Sequence, residues 1–372
     1  MSVRVQRRMA DLLCRALQSI LPPQLRDWGL AIRHELAEIP DDTEALSFAL
    51  GSVRGLAPRA IGMLLMQPFG ALHSPRAVGA LCAAGAVAMG LVYMTLAGAP
   101  VSYLGVNAGA LVIGLVLLAL VSRIPEAGGR VSGALIFGLS LLLLATAFAG
   151  LRVEGAVRWV RLGGVSVQPS LVLLPLMLAG FSRTRTPLAT MGIAVAALAM
   201  ALQPDRAMAA MMTAALATVA ATRADRPASL AFTVSLLALG VTLLRPDALP
   251  AAPFVDQVLF SSFQVHVLAG LAVVAGSALL LVPVLIGGSL DEDSRATSLA
   301  FGAAWLTATL AAAFGHHPTP VVGYGGSAIL GYVLSLATLP RPVSSRVGPA
   351  TAPPDTPLDS HDLHSRLALA RP

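Results

Sequence analysis

The chain contains no lysine: all 25 of its basic residues are arginines. Charge of either sign is scarce, 12% of 372 residues, where a soluble globular chain carries about a quarter. That scarcity excludes an ordinary water-soluble globule. Cysteine is almost missing as well. Only Cys14 and Cys82 occur, one in the leading segment and one in the first long apolar run, which excludes a disulfide framework or a cysteine-built metal site. The first thirty residues carry charge throughout and lack the apolar stretch of a secretory signal. A cleaved leader is therefore not expected.

What the chain has instead is apolar length. Hydrophobic residues make up 56% of it and the mean hydropathy is +0.77. Several runs exceed the roughly 18 residues that mark a membrane span, and they are continuous Leu/Ala-rich blocks rather than alternating strands, which excludes a β-barrel. The expected fold class is all-α: a polytopic membrane protein with about ten transmembrane helices. The candidate spans lie near 77–97, 104–122, 131–150, 167–182, 186–202, 207–222, 228–244, 262–287, 298–314 and 322–339. Small residues four apart, Ala86 with Gly90 and Ala110 with Gly114, would let helices approach closely.

Three domains are expected. Residues 1–76 form an N-terminal helical extension. Within it Leu25, Trp28, Ile32, Leu36 and Ile39 recur at three- and four-residue spacing and should share one helical face. Pro40-Asp41-Asp42 ends that helix, and Asp41 with Glu44 resembles a capping box that opens the next one. Residues 57–69 are apolar enough for a further interfacial helix, with Arg59 and Pro68 against a span. Residues 77–340 hold the spans. Residues 341–372, rich in Pro, Ser and Asp, read as a disordered tail in which His361 and His364 are solvated. Arginine placement orients the chain. The extension, the loops with Arg123/Arg130, Arg183/Arg185, Arg223/Arg226 and Arg295, and the tail with Arg341 and Arg346 all fall inside, so both termini are expected to be cytoplasmic. In such a protein the basic balance reports topology, and nucleic acid is not an expected partner.

The exception is the segment between the third and fourth spans. It carries Arg152, Arg158 and Arg161 with Trp159, a Gly163-Gly164 turn, and Gln168-Pro169-Ser170 opening the next helix. Read as Gly155-Ala156-Val157-Arg158-Trp159-Val160-Arg161-Leu162-Gly163 followed by Gln168-Pro169-Ser170, it resembles the G-A-x-R-W-[IL]-x-L-G and Q-P-S-E-x-x-K pattern of the SEDS proteins (shape, elongation, division and sporulation; the FtsW/RodA/SpoVE group). A second pattern of that family, Q-P-D-x-G, has its counterpart in Gln203-Pro204-Asp205-Arg206-Ala207. A third, P-F-V-S-Y-G-G-S, has its counterpart in Pro320-Val321-Val322-Gly323-Tyr324-Gly325-Gly326-Ser327. All three occur in family order.

The resemblance implies a multi-pass protein of the bacterial cytoplasmic membrane that serves peptidoglycan synthesis in cell division or cell-shape control. Family members polymerise glycan strands at the outer face from lipid II, an undecaprenyl-linked precursor, and pair with a class B penicillin-binding protein. Such a glycosyltransferase needs a carboxylate to take the acceptor proton and a fixed cation at the departing diphosphate. By position the family's base corresponds to Asp256, and Arg158 suits the phosphate. Trp159, Gln168, Ser170, Asp205, Tyr324 and Ser327 are the further substrate-binding candidates. No cofactor is implied, though a divalent cation could accompany the diphosphate.

Plainer roles stand beside these. Asp256 could be a solvated loop carboxylate or a cap, and Asp205 a cap for the helix after it. Arg158 and Trp159 could be headgroup anchors, Tyr324 to Ser327 a tight turn, His266 a residue hydrogen-bonded to a neighbour near the start of a span, and His316-His317 ordinary loop residues. The departures are equally specific. The family's intramembrane Glu and Lys are Leu171 and Leu174 here, the loop before Asp256 is short, and Gln264 and His266 stand where an acidic pair usually follows it. A non-catalytic scaffold that binds lipid-linked precursors or cell-wall enzymes is therefore a second reading. A precursor transporter is a third, without a polar pathway through the spans to support it.

Overall fold

The computed structural model describes residues 3–21, 25–66, 74–124, 128–245, 250–287 and 292–340. The tail after residue 340 with its two histidines, and Pro68 of the extension, lie outside the described residues.

The extension folds as three helices, α1 (Val3–Ile20), α2 (Arg26–Glu38) and α3 (Asp42–Met66). They close on a small core of their own: Ala10, Cys14, Leu17 and Leu21 against Ile32, Leu36, Ala45 and Ala49. The Arg7 guanidinium donates to the carbonyls of Ile39 (2.6 Å) and Leu36 (2.9 Å), satisfying acceptors that the end of α2 leaves open. Asp41 caps α3 as its spacing predicts, accepting from the amides of Thr43 (2.7 Å) and Glu44 (2.9 Å). Two expectations need correction. Trp28 is 63% exposed, because Gly29 faces the core instead: a Cβ there would stand 2.9 Å from Leu21. And α3 is continuous for 25 residues where a break was expected before residue 57.

The apolar chain then forms α4 (Pro75–Leu96), α5 (Val101–Val121), α6 (Gly129–Ala149), α7 (Pro169–Arg183), α8 (Pro187–Leu202), α9 (Arg206–Arg223) and α10 (Arg226–Leu243). It continues through α11 (Val258–Val265), α12 (Val267–Leu279), α13 (Val282–Gly287), α14 (Glu292–Phe314) and α15 (Gly326–Ser335), the last extended by a 3-10 turn. Six segments are long and apolar enough to cross a membrane: α4, α5, α6, α10, α14 and the stretch from α12 into α13. Helices α7, α8 and α15 are shorter apolar helices, and α9 packs between α10 and α14. Every expected span falls on one of these helices, with two changes of bounds. The span expected at 262–287 is interrupted at His266, whose extended backbone (φ −167°) breaks the helix. Its Nδ1 accepts from the Leu268 amide at 3.1 Å and so caps α12. The last helix starts at Gly326, because residues 320–325 form a turn.

Non-helical backbone gathers at one end of the bundle. The expected loop after α6 is a three-stranded antiparallel sheet, β1 (Leu151–Val153), β2 (Ala156–Leu162) and β3 (Val165–Val167), in the order β1-β2-β3. Both connections are two-residue turns with positive φ throughout, Glu154 (46°) with Gly155 (83°) and Gly163 (55°) with Gly164 (92°). That is the geometry that suits a hairpin's twist.

The opposite end carries arginine pairs, Arg185 to Asp225 at 2.5 Å and Arg223 to Asp293. The small residues picked out by spacing do lie at close contacts. A Cβ on Gly90 would meet the Val322 carbonyl oxygen at 2.3 Å, and one on Gly114 would meet Val333 at 3.2 Å. The tightest crossing is α15 on α7, where a Cβ on Gly331 would stand 1.9 Å from the Leu171 carbonyl oxygen. Because that neighbour is backbone, the helices must move apart. Gly331→Ala is expected to cost about 1–3 kcal/mol and to lower the thermal unfolding midpoint in detergent by several degrees. Gly105→Ala, with open space around its Cα, is the control. Equal midpoints for the two would overturn the assignment.

Candidate functional site

Four connections meet at the sheet-bearing end: β1 to β3 before α7, Gln203 to Asp205 before α9, residues 250–257 before α11, and residues 315–325 before α15. Because consecutive helices alternate in direction, each of these connections returns to the same end.

Asp205 is the point where the motifs join. Only 1% exposed, it receives the Met208 amide on Oδ1 (3.2 Å) as the cap of α9. On Oδ2 it receives the Gln168 amide nitrogen (2.9 Å) and the Ser170 hydroxyl (3.3 Å). So the capping role and the motif role coincide in one carboxylate. The Gln168 backbone amide donates to Ser327 Oγ at 2.9 Å, tying the end of the sheet to the first turn of α15. Arg158 points inward from β2, 3% exposed, and donates to the Pro204 carbonyl. Thus Arg158, Gln168, Ser170, Asp205 and Ser327, which lie far apart in sequence, form one connected network.

The turn before α15 is held from a residue that spacing did not single out. Asn107, fully buried in α5, donates to the Gly323 carbonyl (2.8 Å) and accepts from the Gly325 amide (3.1 Å). A lone carboxamide in an apolar helix was the available signal, since polar groups at such depth are kept for a partner. Tyr324 stacks on Tyr103, with centroids 3.7 Å apart and planes at 10°.

Asp256 is fixed by the same turn. It forms an antiparallel bridge with Pro318, and its Oδ2 accepts from the Ala252 amide at 2.8 Å. Half-buried, it is neither a freely solvated carboxylate nor a cap on α11, whose cap residue Gln257 makes no side-chain bond. Burial pushes its carboxyl above the ordinary range, while the Ala252 amide, His317 and His316 pull the other way. A base with a raised pKa lies closer to working pH. The histidine pair, set aside on sequence grounds, therefore lies beside the candidate base.

These groups surround a cavity of about 470 Å³ whose walls include Arg158, Trp159, Gln168, Asp205, Asp256 and His317. A second cavity of about 520 Å³ shares Trp159 and Gln168 and extends to Tyr324, Ser327 and the outer face of α5 at Gly105 and Gly109. Leu171 lines both. It is 4% exposed and Leu174 is fully buried, so the positions of the family's Glu and Lys are packed with hydrocarbon. Among the described residues, no three His, Cys, Asp or Glu side chains gather as a metal-binding group.

Residues 77–264, half of the chain, match the FtsW/RodA/SpoVE family, described as cell cycle proteins. In structure the chain is similar to the rod shape determining protein RodA of Thermus thermophilus. The TM-score is 0.50 and the identity 21%, over 69% of this chain and 92% of that one. An aspartate-to-alanine mutant of the same protein gives 0.48 and 21%, over 69% and 93%. No curated protein sequence matches the chain.

Removing the Asp205 carboxylate strands the Gln168 amide and the Ser170 hydroxyl and uncaps α9. Asp205→Ala is expected to cost about 2–3 kcal/mol, and Asp205→Asn, which keeps an acceptor for Met208, a smaller amount. Unfolding midpoints of the purified protein read both. An Asp205→Ala variant as stable as the parent would show that the network is not structural.

Proposed function

Because the chain belongs to the FtsW/RodA/SpoVE family of cell cycle membrane proteins, we propose that it is a peptidoglycan glycosyltransferase of the bacterial cytoplasmic membrane. In this reading the sheet-bearing end faces outward, the arginine-rich end and both termini lie in the cytoplasm, and lipid II is the substrate. Asp256 takes the proton of the acceptor sugar hydroxyl. The freed oxygen attacks the anomeric carbon of the donor, and the bond from that carbon to the prenyl diphosphate breaks. Arg158, a planar guanidinium fork, steadies the charge on the leaving diphosphate. Trp159, Gln168 and Tyr324 border the space the sugars would occupy, while Ser170, Asp205 and Ser327 hold that border in place. A class B penicillin-binding protein would crosslink the product.

One observation carries the reading: Asp256 and Arg158, on separate connections, line the same cavity. A specific observation favours the scaffold alternative. Leu171 and Leu174 replace a charged pair that costs too much in a membrane to be kept without use. Their joint loss leaves no charge stranded, yet removes whatever that pair does.

Fluorescent lipid II supplied to the purified protein, alone and with a class B penicillin-binding protein, separates the two. Glycan strands are expected, and Asp256→Ala should lower their yield by about 10²–10⁴-fold, the usual worth of a general base. Production should fall as pH drops through the raised carboxyl pKa, because the base is then protonated. Lipid II binding without product, lost in Arg158→Ala, would favour the scaffold. For orientation, Glu154→Cys in a background free of Cys14 and Cys82 should react with an impermeant maleimide from outside intact cells. Reaction only after lysis would overturn the outward placement.

A further inference from the structure

We propose that His316 and His317 are positioning residues for Asp256, presented to its carboxylate from the facing turn across a shared cavity. The mechanism above does not use this pair, and the resemblance assigns it no role. The inference deepens the reading of Asp256 as a base and rests on it for its catalytic consequence.

Helix α14 ends at Phe314. After Phe314 the chain runs through Gly315-His316-His317-Pro318-Thr319 and is bound to the Asp256 segment by a series of short bonds. The Thr319 amide donates to the Val255 carbonyl (2.8 Å), the Tyr324 amide to the Phe254 carbonyl (2.7 Å), and the Val258 amide to Thr319 Oγ1 (3.3 Å). Asp256 pairs with Pro318 across this contact. The backbone thus sets Asp256 opposite Pro318, directly after the histidine pair. Gly315 contributes room: a Cβ there would be 3.0 Å from the His317 ring. Both imidazoles line the cavity that Asp256 lines.

The charges facing that cavity are few enough to follow one by one. Arg158 and Arg161 come from β2, Asp205 from the head of α9, Asp256 from the connection before α11, and the two histidines from the turn. Arg158 donates to the Pro204 carbonyl, and Asp205 is occupied by Gln168, Ser170 and Met208. The two imidazoles face the same cavity as Asp256. Their effect on Asp256 is to favour the carboxylate, opposite to that of burial, and His317 acts more strongly than His316.

The sign follows. Both imidazoles oppose the effect of burial on Asp256. Their positive charge resists protonation of Asp256. Without them, burial acts unopposed and Asp256 protonates at a higher pH.

The test reads protonation without needing turnover. The full-length protein in detergent is treated with a carbodiimide and an amine nucleophile between about pH 4 and pH 8, a reaction that requires the protonated carboxyl. Modification of Asp256 is followed by mass spectrometry. In the double variant His316→Gln with His317→Gln the midpoint should rise by about one pH unit, a several-fold gain in labelling on the shoulder of the curve. His317→Arg, which supplies a permanent cation, should return it to the parent value or below. An unmoved midpoint in the double variant overturns the proposal. If Gln disturbs folding, the Arg variant alone decides: a midpoint raised despite the cation also overturns it. With lipid II, the acid limb of the polymerisation profile should move the same way. If the parent makes no strands at any pH, the enzyme reading fails, while the labelling result still judges the histidine pair.

Discussion

A carboxylate buried to within 1% of full exclusion from solvent must be fully bonded, and Asp205 meets that condition by joining three parts of the chain. It takes an amide from its own helix, a carboxamide from the end of the sheet and a hydroxyl from the next helix. An ion in such surroundings is several kcal/mol dearer than in water unless every acceptor position is used. The network therefore assembles completely or not at all. Through Gln168 it reaches Ser327, and the carbonyl of Pro204, just before the carboxylate, receives Arg158. The positions of the sheet, α7, α9 and α15 at this end all follow from satisfying that one group.

The same constraint explains why irregular backbone collects here. In hydrocarbon a backbone group without a partner is prohibitively costly, so non-helical segments survive only where protein or water serves them. The two-residue turns of the sheet keep each strand bonded to its neighbour. Asn107 supplies from inside α5 the donor and acceptor that the 323–325 turn cannot find in itself. The bonds between residues 254–258 and 319–324 do the same for the remaining pair of segments. The cavity is the space left between segments that bond to each other rather than to helices.

How much of this could be read from the sequence divides along the range of the interactions. Spans are local composition, and the helical segments were legible. Motifs of Gln, Pro, Asp and Gly were legible too, because each residue type has its own backbone or bonding reason to be there. The capping role of Asp41 and the close contacts at Gly90 and Gly114 followed from spacing. The sheet was missed although Glu154-Gly155 and Gly163-Gly164 are turn signals separated by a strand's length, because three arginines suggested a headgroup loop. Trp28 was assigned inward on hydrophobicity, but the helices approach too closely there for anything larger than Gly29. His316-His317 was read as ordinary loop residues because no third metal ligand stands near them in sequence. They line the cavity that Asp256 lines, and the bridge to Pro318 sets the two segments side by side.

The replaced pair at Leu171 and Leu174 bears on how such a site keeps its base charged. A buried carboxylate needs a cationic neighbour or several donors to remain ionised. In this chain the described residues that act on Asp256 are one amide and two imidazoles. Leu171, between the two cavities, contributes hydrocarbon and no charge. Hydrocarbon walls lower the local dielectric and so strengthen the histidine–carboxylate coupling while raising the cost of losing it. A permanent cation there would hold Asp256 ionised to lower pH, but as a tight pair it would also make the carboxylate a weaker base. On this argument the apolar substitution in α7 and the histidine pair after α14 belong together: the first removes charge from the site's floor, and the second supplies a titratable one from its wall.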